Sequence, residues 1–268
     1  ADISNQNFKI RGSVTLTYPV GGEKWTVGSS QNILWSRIGS IANVKLEFSN
    51  DGALFTEMIE STPNDGSYNW QVPDSITTQG LMRISDASDP TITHTCAGYF
   101  KIQGSFDVTS PNGGEAWQAA SQHDITWNKN GSVSFVNLYY SKDSGATWTA
   151  IPDGQNVSNN GVFTWYSIPV DAVSTKARIK VQDAVDSEAF DMSNSDYKVR
   201  CTLVLTYPVG GEHLRVGRSY NITWTQVGNP ENIKLEYSRD NFLADYQTIE
   251  ASLPTPPGRS YTWTVPNS

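Results

Sequence analysis

One pattern is written three times along this chain, and no other feature of the sequence constrains the fold as tightly. The stretches LTYPVGGEKW, VTSPNGGEAW and LTYPVGGEHL place Pro19, Pro111 and Pro208 at spacings of 92 and 97 residues. QNILW, HDITW and YNITW then put Trp35, Trp127 and Trp224 on the same two spacings. NVKLEFS, FVNLYYS and NIKLEYS follow, and YNWQVP, FTWYSIP and YTWTVP align Trp70, Trp165 and Trp263. A unit of about 95 residues repeated in tandem must build one core per copy.

Each repeated segment is short, alternates apolar with polar residues, and is bounded by Gly, Asn, Asp or Pro. Period-two alternation means one wet face and one buried face, the signature of antiparallel strands in a sandwich. No stretch carries a sustained helical period. The sequence therefore predicts an all-β chain of tandem immunoglobulin-like (fibronectin III-like) antiparallel β-sandwiches, with a Trp filling each space between sheets. Antibody-type domains are excluded, because no Cys pair stands on the expected strands.

The boundaries follow from the last strand of each copy, GYFKI in the first and SDYKV in the second. Repeat 1 is expected at 11–103, repeat 2 at 104–200, and repeat 3 at 201–268. Repeat 3 is expected to be truncated, because Pro266 is followed by only Asn267 and Ser268. DISNQNFKI, with Phe8 and Ile10, matches the closing strand of a preceding repeat, so residues 1–10 are assigned to it and the chain reads as a window on a longer array. KIQGSFDVTSP and KVRCTLVLTYP leave almost no linker between copies, which predicts a stiff array.

Composition excludes several classes. A net charge of −8 and a pI near 4.9, with no basic cluster, argue against nucleic acid. No apolar run is long enough for a membrane span. Two cysteines, Cys96 and Cys201, make no disulfide framework; they are expected to be free, a bond to another chain being the alternative.

Candidate chemistry is sparse. SKDSGATW (Ser141, Asp143, Gly145, Thr147, Trp148) fits the Asp-box pattern, read either as a sialidase-like mark or as a hairpin held by a carboxylate. The hairpin reading is preferred, since no arginine cluster accompanies it. Asp86 with Asp89, and Asp183 with Asp186, lie three apart in loops; such pairs suit calcium or Asx turn caps. Calcium is the one candidate cofactor. Glu23, Glu115 and Glu212 recur at one pole of each unit, singly, whereas a glycosidase needs two facing carboxylates. Their expected role is to fix the turn or the junction. His94, His123 and His213 fall at different repeat positions, as surface histidines would. Sequons stand at Asn130, Asn156 and Asn221, with Asn156 the easiest to reach. Trp148 is the one aromatic offered for sugar stacking, because Trp25 and Trp117 read as core.

The signature Pro-x-Gly-Gly-Glu-x-Trp, then Ile-x-Trp, then YYSKDSGATW, then Trp-x-(x)-Val/Ile-Pro, resembles the immunoglobulin-like repeats of the Kre9/Knh1-type, Ser/Thr-rich surface-protein family. The resemblance implies a non-catalytic, extracellular module of a cell-surface, cell-wall or S-layer protein, in some cases a glycoprotein. The expected function is a rigid spacer and a scaffold for adhesion or self-association. Its partners would be copies of itself, neighbouring copies in an array, or wall and surface glycans. The alternative is an accessory module of a larger secreted enzyme, with carbohydrate binding as one role open to it. The family supplies no catalytic residue, and the Ser/Thr-rich stalk of its fungal members has no counterpart in this sequence.

Overall fold

The computed structural model describes residue 6, residues 9–254 and residues 259–267. The closing strand expected at 1–10 falls, with Phe8, outside the described residues apart from Gln6, Lys9 and Ile10. The chain is all β, with no α-helix among the described residues. Its contacts define two compact units, Ala1–Phe106 with Lys129–Ser134 and Val185–Phe190, and Asp107–Asn128 with Phe135–Ala184 and Asp191–Ser268.

Repeat 1 is a sandwich of a three-stranded and a six-stranded sheet. Ser13–Tyr18, Ser30–Ile38 and Ser67–Gln71 pair antiparallel in that order. The other sheet runs Lys24–Thr26, Phe100–Gln103, Thr77–Asp86, Asn43–Ser49, Thr56–Pro63, with Thr93–Thr95 added beside Thr77–Asp86. All neighbours are antiparallel except Lys24–Thr26, which lies parallel to Phe100–Gln103. The alternation sends Val14, Leu16, Ile33, Trp35, Val44, Leu46 and Phe48 inward. Trp25, Trp70, Phe48 and Phe100 meet there at tilted and edge-on geometries, with centroids 4.4–6.5 Å apart.

Repeat 2 repeats the plan. Ser105–Ser110, His123–Asn130 and Val162–Trp165 form the small sheet. Ala116–Gln118, Tyr197–Arg200, Ser174–Asp183, Phe135–Ser141 and Thr149–Ala150 form the large one, with two short strands attached. A buried indole N–H must find an acceptor, and the same solution appears twice. Trp35 Nε1 donates to Asn64 Oδ1 at 2.7 Å, and Trp127 Nε1 to Asn159 Oδ1 at 2.8 Å.

Repeat 3 keeps the small sheet (Thr202–Tyr207, Ser219–Val227, Ser260–Thr264). Opposite it, among the described residues, stand only Asn232–Ser238 and Tyr246–Pro254. Leu203 and Leu205 are 44% and 49% exposed, whereas Val14 and Leu16, their repeat-1 counterparts, are each 4% exposed. Cys96 is buried, Cys201 is half-buried, and both are free. Burial pushes the Cys96 thiol up from its ordinary pKa.

Candidate functional site

The signature loop at one pole of each repeat is a main-chain clamp. A cis peptide precedes Pro19, Pro111 and Pro208. The Glu carboxylate then takes two successive amides. Val20 N and Gly21 N donate to Glu23 at 2.7 and 2.9 Å. Asn112 N and Gly113 N donate to Glu115, both at 2.8 Å. Val209 N and Gly210 N donate to Glu212 at 2.8 and 2.7 Å. The Val209 amide leads in holding the Glu212 carboxyl below its usual range. Glycine is required at the second loop position of repeat 1. Gly21 sits at φ +117°, and a Cβ there would lie 2.6 Å from the Gly98 Cα.

Beside this clamp, the first unit carries a polar cluster in which residues distant in sequence meet. Lys101 lies on Phe100–Gln103, and its ammonium contacts Asp186 at 2.6 Å and Glu188 at 2.9 Å. Lys24, on the adjoining parallel strand, reaches Glu188 at 2.6 Å. Hydrogen bonds from Lys24 first, then Lys101, hold the Glu188 carboxyl at a pKa of about 2. Burial works against charge on Lys101, but its bonds to Asp186 and Glu188 outweigh that and raise its pKa. Val185–Phe190 is thereby fastened to the body of this unit. Lys129–Ser134 is fastened as well: Asn130 Nδ2 donates to Val27 O at 2.6 Å, and Ser132 N donates to Asp74 Oδ1 at 2.9 Å. The Ser132 hydroxyl also bonds Asp74.

The acid pairs have these surroundings. Asp86 is buried and accepts Ser88 N and Oγ, both at 2.8 Å. Asp89 accepts Thr91 Oγ1 at 2.5 Å and faces Arg11 Nε at 3.7 Å. The Thr91 bonds, then the Arg11 and Lys9 charges, hold its carboxyl below the usual range. Asp183 is buried, and Asp186 faces Lys101. Among the described residues, no three His, Cys, Asp or Glu side chains converge as a metal cage would require.

The Asp-box hairpin is held from inside. Asp143 accepts Thr147 Oγ1 at 2.6 Å, Thr147 N at 2.8 Å and Ser141 Oγ at 2.7 Å, and these bonds bring its carboxyl down to about 2. Gly145 takes φ +90° there. The same turn is built in the other repeats, where the sequence shows only remnants. Asp51 accepts Ser49 Oγ, Ala53 N and Leu54 N at 2.8–2.9 Å. Asp240 accepts Ser238 Oγ, Ala244 N and Asp245 N at 2.7–2.8 Å. Trp148 is half-buried, with the Lys180 ammonium 5.1 Å over its ring. Trp25 and Trp117 are core residues.

Of the sequons, Asn156 is exposed in a turn at φ +52°, and Asn221 is exposed on its strand, where its Oδ1 accepts Thr262 Oγ1. The Asn130 amide is committed to Val27 O. The histidines differ from the expectation of a plain surface role. His123 stacks on Trp117 with centroids 4.4 Å apart, and burial lowers its pKa. His94 Nδ1 accepts Leu16 N at 3.2 Å, and only His213 is exposed.

The second unit has an open cleft of about 930 Å³ whose lining includes Lys142, Asp171, Lys176, Arg200, Cys201 and Glu231. Its charges are mixed, and no histidine is among the residues that line it. The sequence could have flagged the Lys101 cluster. The recurrence Phe8-Lys9-Ile10, Phe100-Lys101-Ile102, Tyr197-Lys198-Val199 keeps one lysine between two apolar residues.

No protein-family model matches the chain, and no curated protein matches it. Solved structures match at low identity. The N-terminal four Ig domains of Dscam1 isoform 1.9 match at 11% identity and a TM-score of 0.30, over 96% of this chain and 66% of theirs. The fibronectin(III)-like modules of Clostridium thermocellum CbhA match at 13% identity and 0.24, over 75% of this chain and 99% of theirs. A tetra-tandem repeat in the extending region of a large adhesion protein matches at 13% and 0.36, over 96% and 66%.

Proposed function

We propose that the chain is a non-catalytic structural array of a secreted cell-surface or S-layer protein, serving as spacer and as scaffold for self-association or adhesion. The observation that carries this reading is the fastening of Val185–Phe190 and Lys129–Ser134 into the first unit. Two loops belonging by sequence to repeat 2 are fastened into the unit that holds repeat 1. The polar residues that recur at the pole are taken up by their own loops. Glu23, Glu115 and Glu212 each close on their own backbone, and Asp143 closes on its own hairpin. A carboxylate whose oxygens accept two or three internal donors has its lone pairs engaged and is poorly placed as a general base.

The test is direct. An antibody raised against the chain should label intact cells of the source organism, and the full chain should turn over no polysaccharide in a hydrolase screen. Exclusively intracellular label, or turnover abolished by Asp143→Asn, would overturn the reading. Saturable glycan-array binding lost in Trp148→Ala would replace it with that of a sugar-binding module.

A further inference from the structure

Three Asn-x-Ser/Thr triplets stand in this chain, and the fold treats one of them differently. Transfer of a glycan to such a triplet uses two groups at once: the asparagine Nδ2 that forms the new bond, and the hydroxyl two residues on that the transferase reads. Both must be open to a second protein. In Asn130-Gly131-Ser132 both are taken. Asn130 Nδ2 donates to Val27 O at 2.6 Å, and it lies 3.3 Å from the place a Cβ on Gly28 would occupy. The Ser132 hydroxyl bonds Asp74 Oδ2, while the other oxygen of that carboxylate accepts Ser132 N at 2.9 Å.

Asn221-Ile222-Thr223 is closed in another way. It lies on Ser219–Val227, the middle strand of its sheet, between Thr202–Tyr207 and Ser260–Thr264. Asn221 stands opposite Thr262, and its Oδ1 accepts Thr262 Oγ1 at 2.9 Å. The Thr223 hydroxyl shares a hydrogen bond with the Thr206 hydroxyl at 2.8 Å. Strands on both sides hold this backbone, so bringing the triplet into a transferase would break ladder bonds on each side.

Asn156-Val157-Ser158 is open at both ends. Asn156 and Ser158 are exposed, and neither the Asn156 carboxamide nor the Ser158 hydroxyl has a hydrogen-bond partner among the described residues. The turn that carries them is nonetheless fixed. Asn156 takes φ +52°, a left-handed conformation that asparagine tolerates. Its backbone N donates to Asn137 Oδ1 at 2.7 Å, and the neighbouring Gln155 Nε2 donates to Leu138 O at 2.7 Å. We infer that Asn156 is an N-glycan acceptor, and that the folded chain withholds Asn130 and Asn221. The donor is an oligosaccharide carried on a polyprenyl diphosphate. Asn156 Nδ2 bonds to the anomeric carbon as the carbon–oxygen bond to the diphosphate breaks. The diphosphate leaves with the electron pair, and one amide proton passes to the transferase. The inference rests on the secreted, cell-surface reading above, which brings the chain to such donors.

The test incubates the folded full chain with a single-subunit oligosaccharyltransferase of Asn-x-Ser/Thr specificity and a polyprenyl diphosphate-linked oligosaccharide, and reads each sequon by mass spectrometry. Asn156 should be modified about tenfold or more over either other sequon, since those must first break bonds that the fold makes. Synthetic peptides of residues 126–136, 152–162 and 217–227, which have no fold, should all be modified. Ser158→Thr should retain the glycan on Asn156, and Ser158→Ala should abolish it. Equal modification of Asn130 or Asn221 in the folded chain, or none at Asn156 while its peptide reacts, overturns the inference. In the chain purified from the surface of source cells, Asn156 should carry the glycan. A bare Asn156 there overturns the inference and leaves the spacer reading standing, whereas a chain found only inside cells overturns both.

Discussion

Lys101 Nζ lies 2.6 Å from Asp186 Oδ2, although the two residues stand 85 positions apart in the chain. The lysine side chain is 15% exposed and Asp186 20%, so this pair is shielded from solvent more than the Lys24–Glu188 pair beside it. Two partly desolvated charges hold a loop only if both are present, since either one alone is left poorly solvated.

Lys101→Ala should therefore release Val185–Phe190 while leaving the repeat-1 core intact. Hydrogen exchange of the loop amides should rise about tenfold, equivalent to ~1.4 kcal/mol, the lower range for a charge-assisted bond with part-exposed partners. Unchanged exchange at Glu188 and Ala189 would show that the cluster holds nothing.

The same loop should be sensitive to acid. Glu188 has a folded pKa of about 2, below its ordinary value of 4.5, because Lys24 and Lys101 favour its charged form. A depressed folded pKa gives stability that is complete above about 4.5 and is lost as pH falls toward 2. Loop resonances followed by NMR should shift across that window, earlier than the core unfolds, and Glu188→Gln should remove the dependence.

Asn64→Leu should cost about 2 kcal/mol. It leaves the Trp35 indole N–H without its acceptor in a buried site, and Asn64 Nδ2 also gives up its bond to Ile41 O. Asn159→Leu should act alike through Trp127. Urea denaturation checks both, and a loss below about 0.5 kcal/mol would mean that the indole finds another partner.

Tyr197→Phe should stabilise repeat 2 by about 1 kcal/mol. The Tyr197 hydroxyl is buried with no hydrogen-bond partner, and burial drives its pKa up. Repeat 1 already has phenylalanine at this position, Phe100. A lower denaturation midpoint for the variant would reveal a bond that the hydroxyl makes in solution.

Repetition made the architecture legible. Trp35, Trp127 and Trp224 recur at the start of the core, and the alternation around Val44, Leu46 and Phe48 shows which face each strand buries. The hairpin at Asp143 was equally legible, because its donors lie within six residues of it. Its counterparts at Asp51 and Asp240 were less so. There the carboxylate uses backbone amides, which every residue but proline possesses, so the turn forms without the Trp of the motif. The place of His123 is not legible in the sequence, because its flat stack on Trp117 depends on two strands meeting.

By itself the sequence determined the strand pattern, the three-fold repeat and the local turns, since each depends on side chains and amides a few positions apart. The tertiary structure decided what the acidic loops do. Asp186 caps Glu188 N within its own loop, as local spacing allows, and only the fold adds Lys101 Nζ at 2.6 Å. It also decided that Lys101 N meets Glu23 O and Lys198 N meets Glu115 O, because the clamp closes on its own backbone while the strand it receives lies far along the chain.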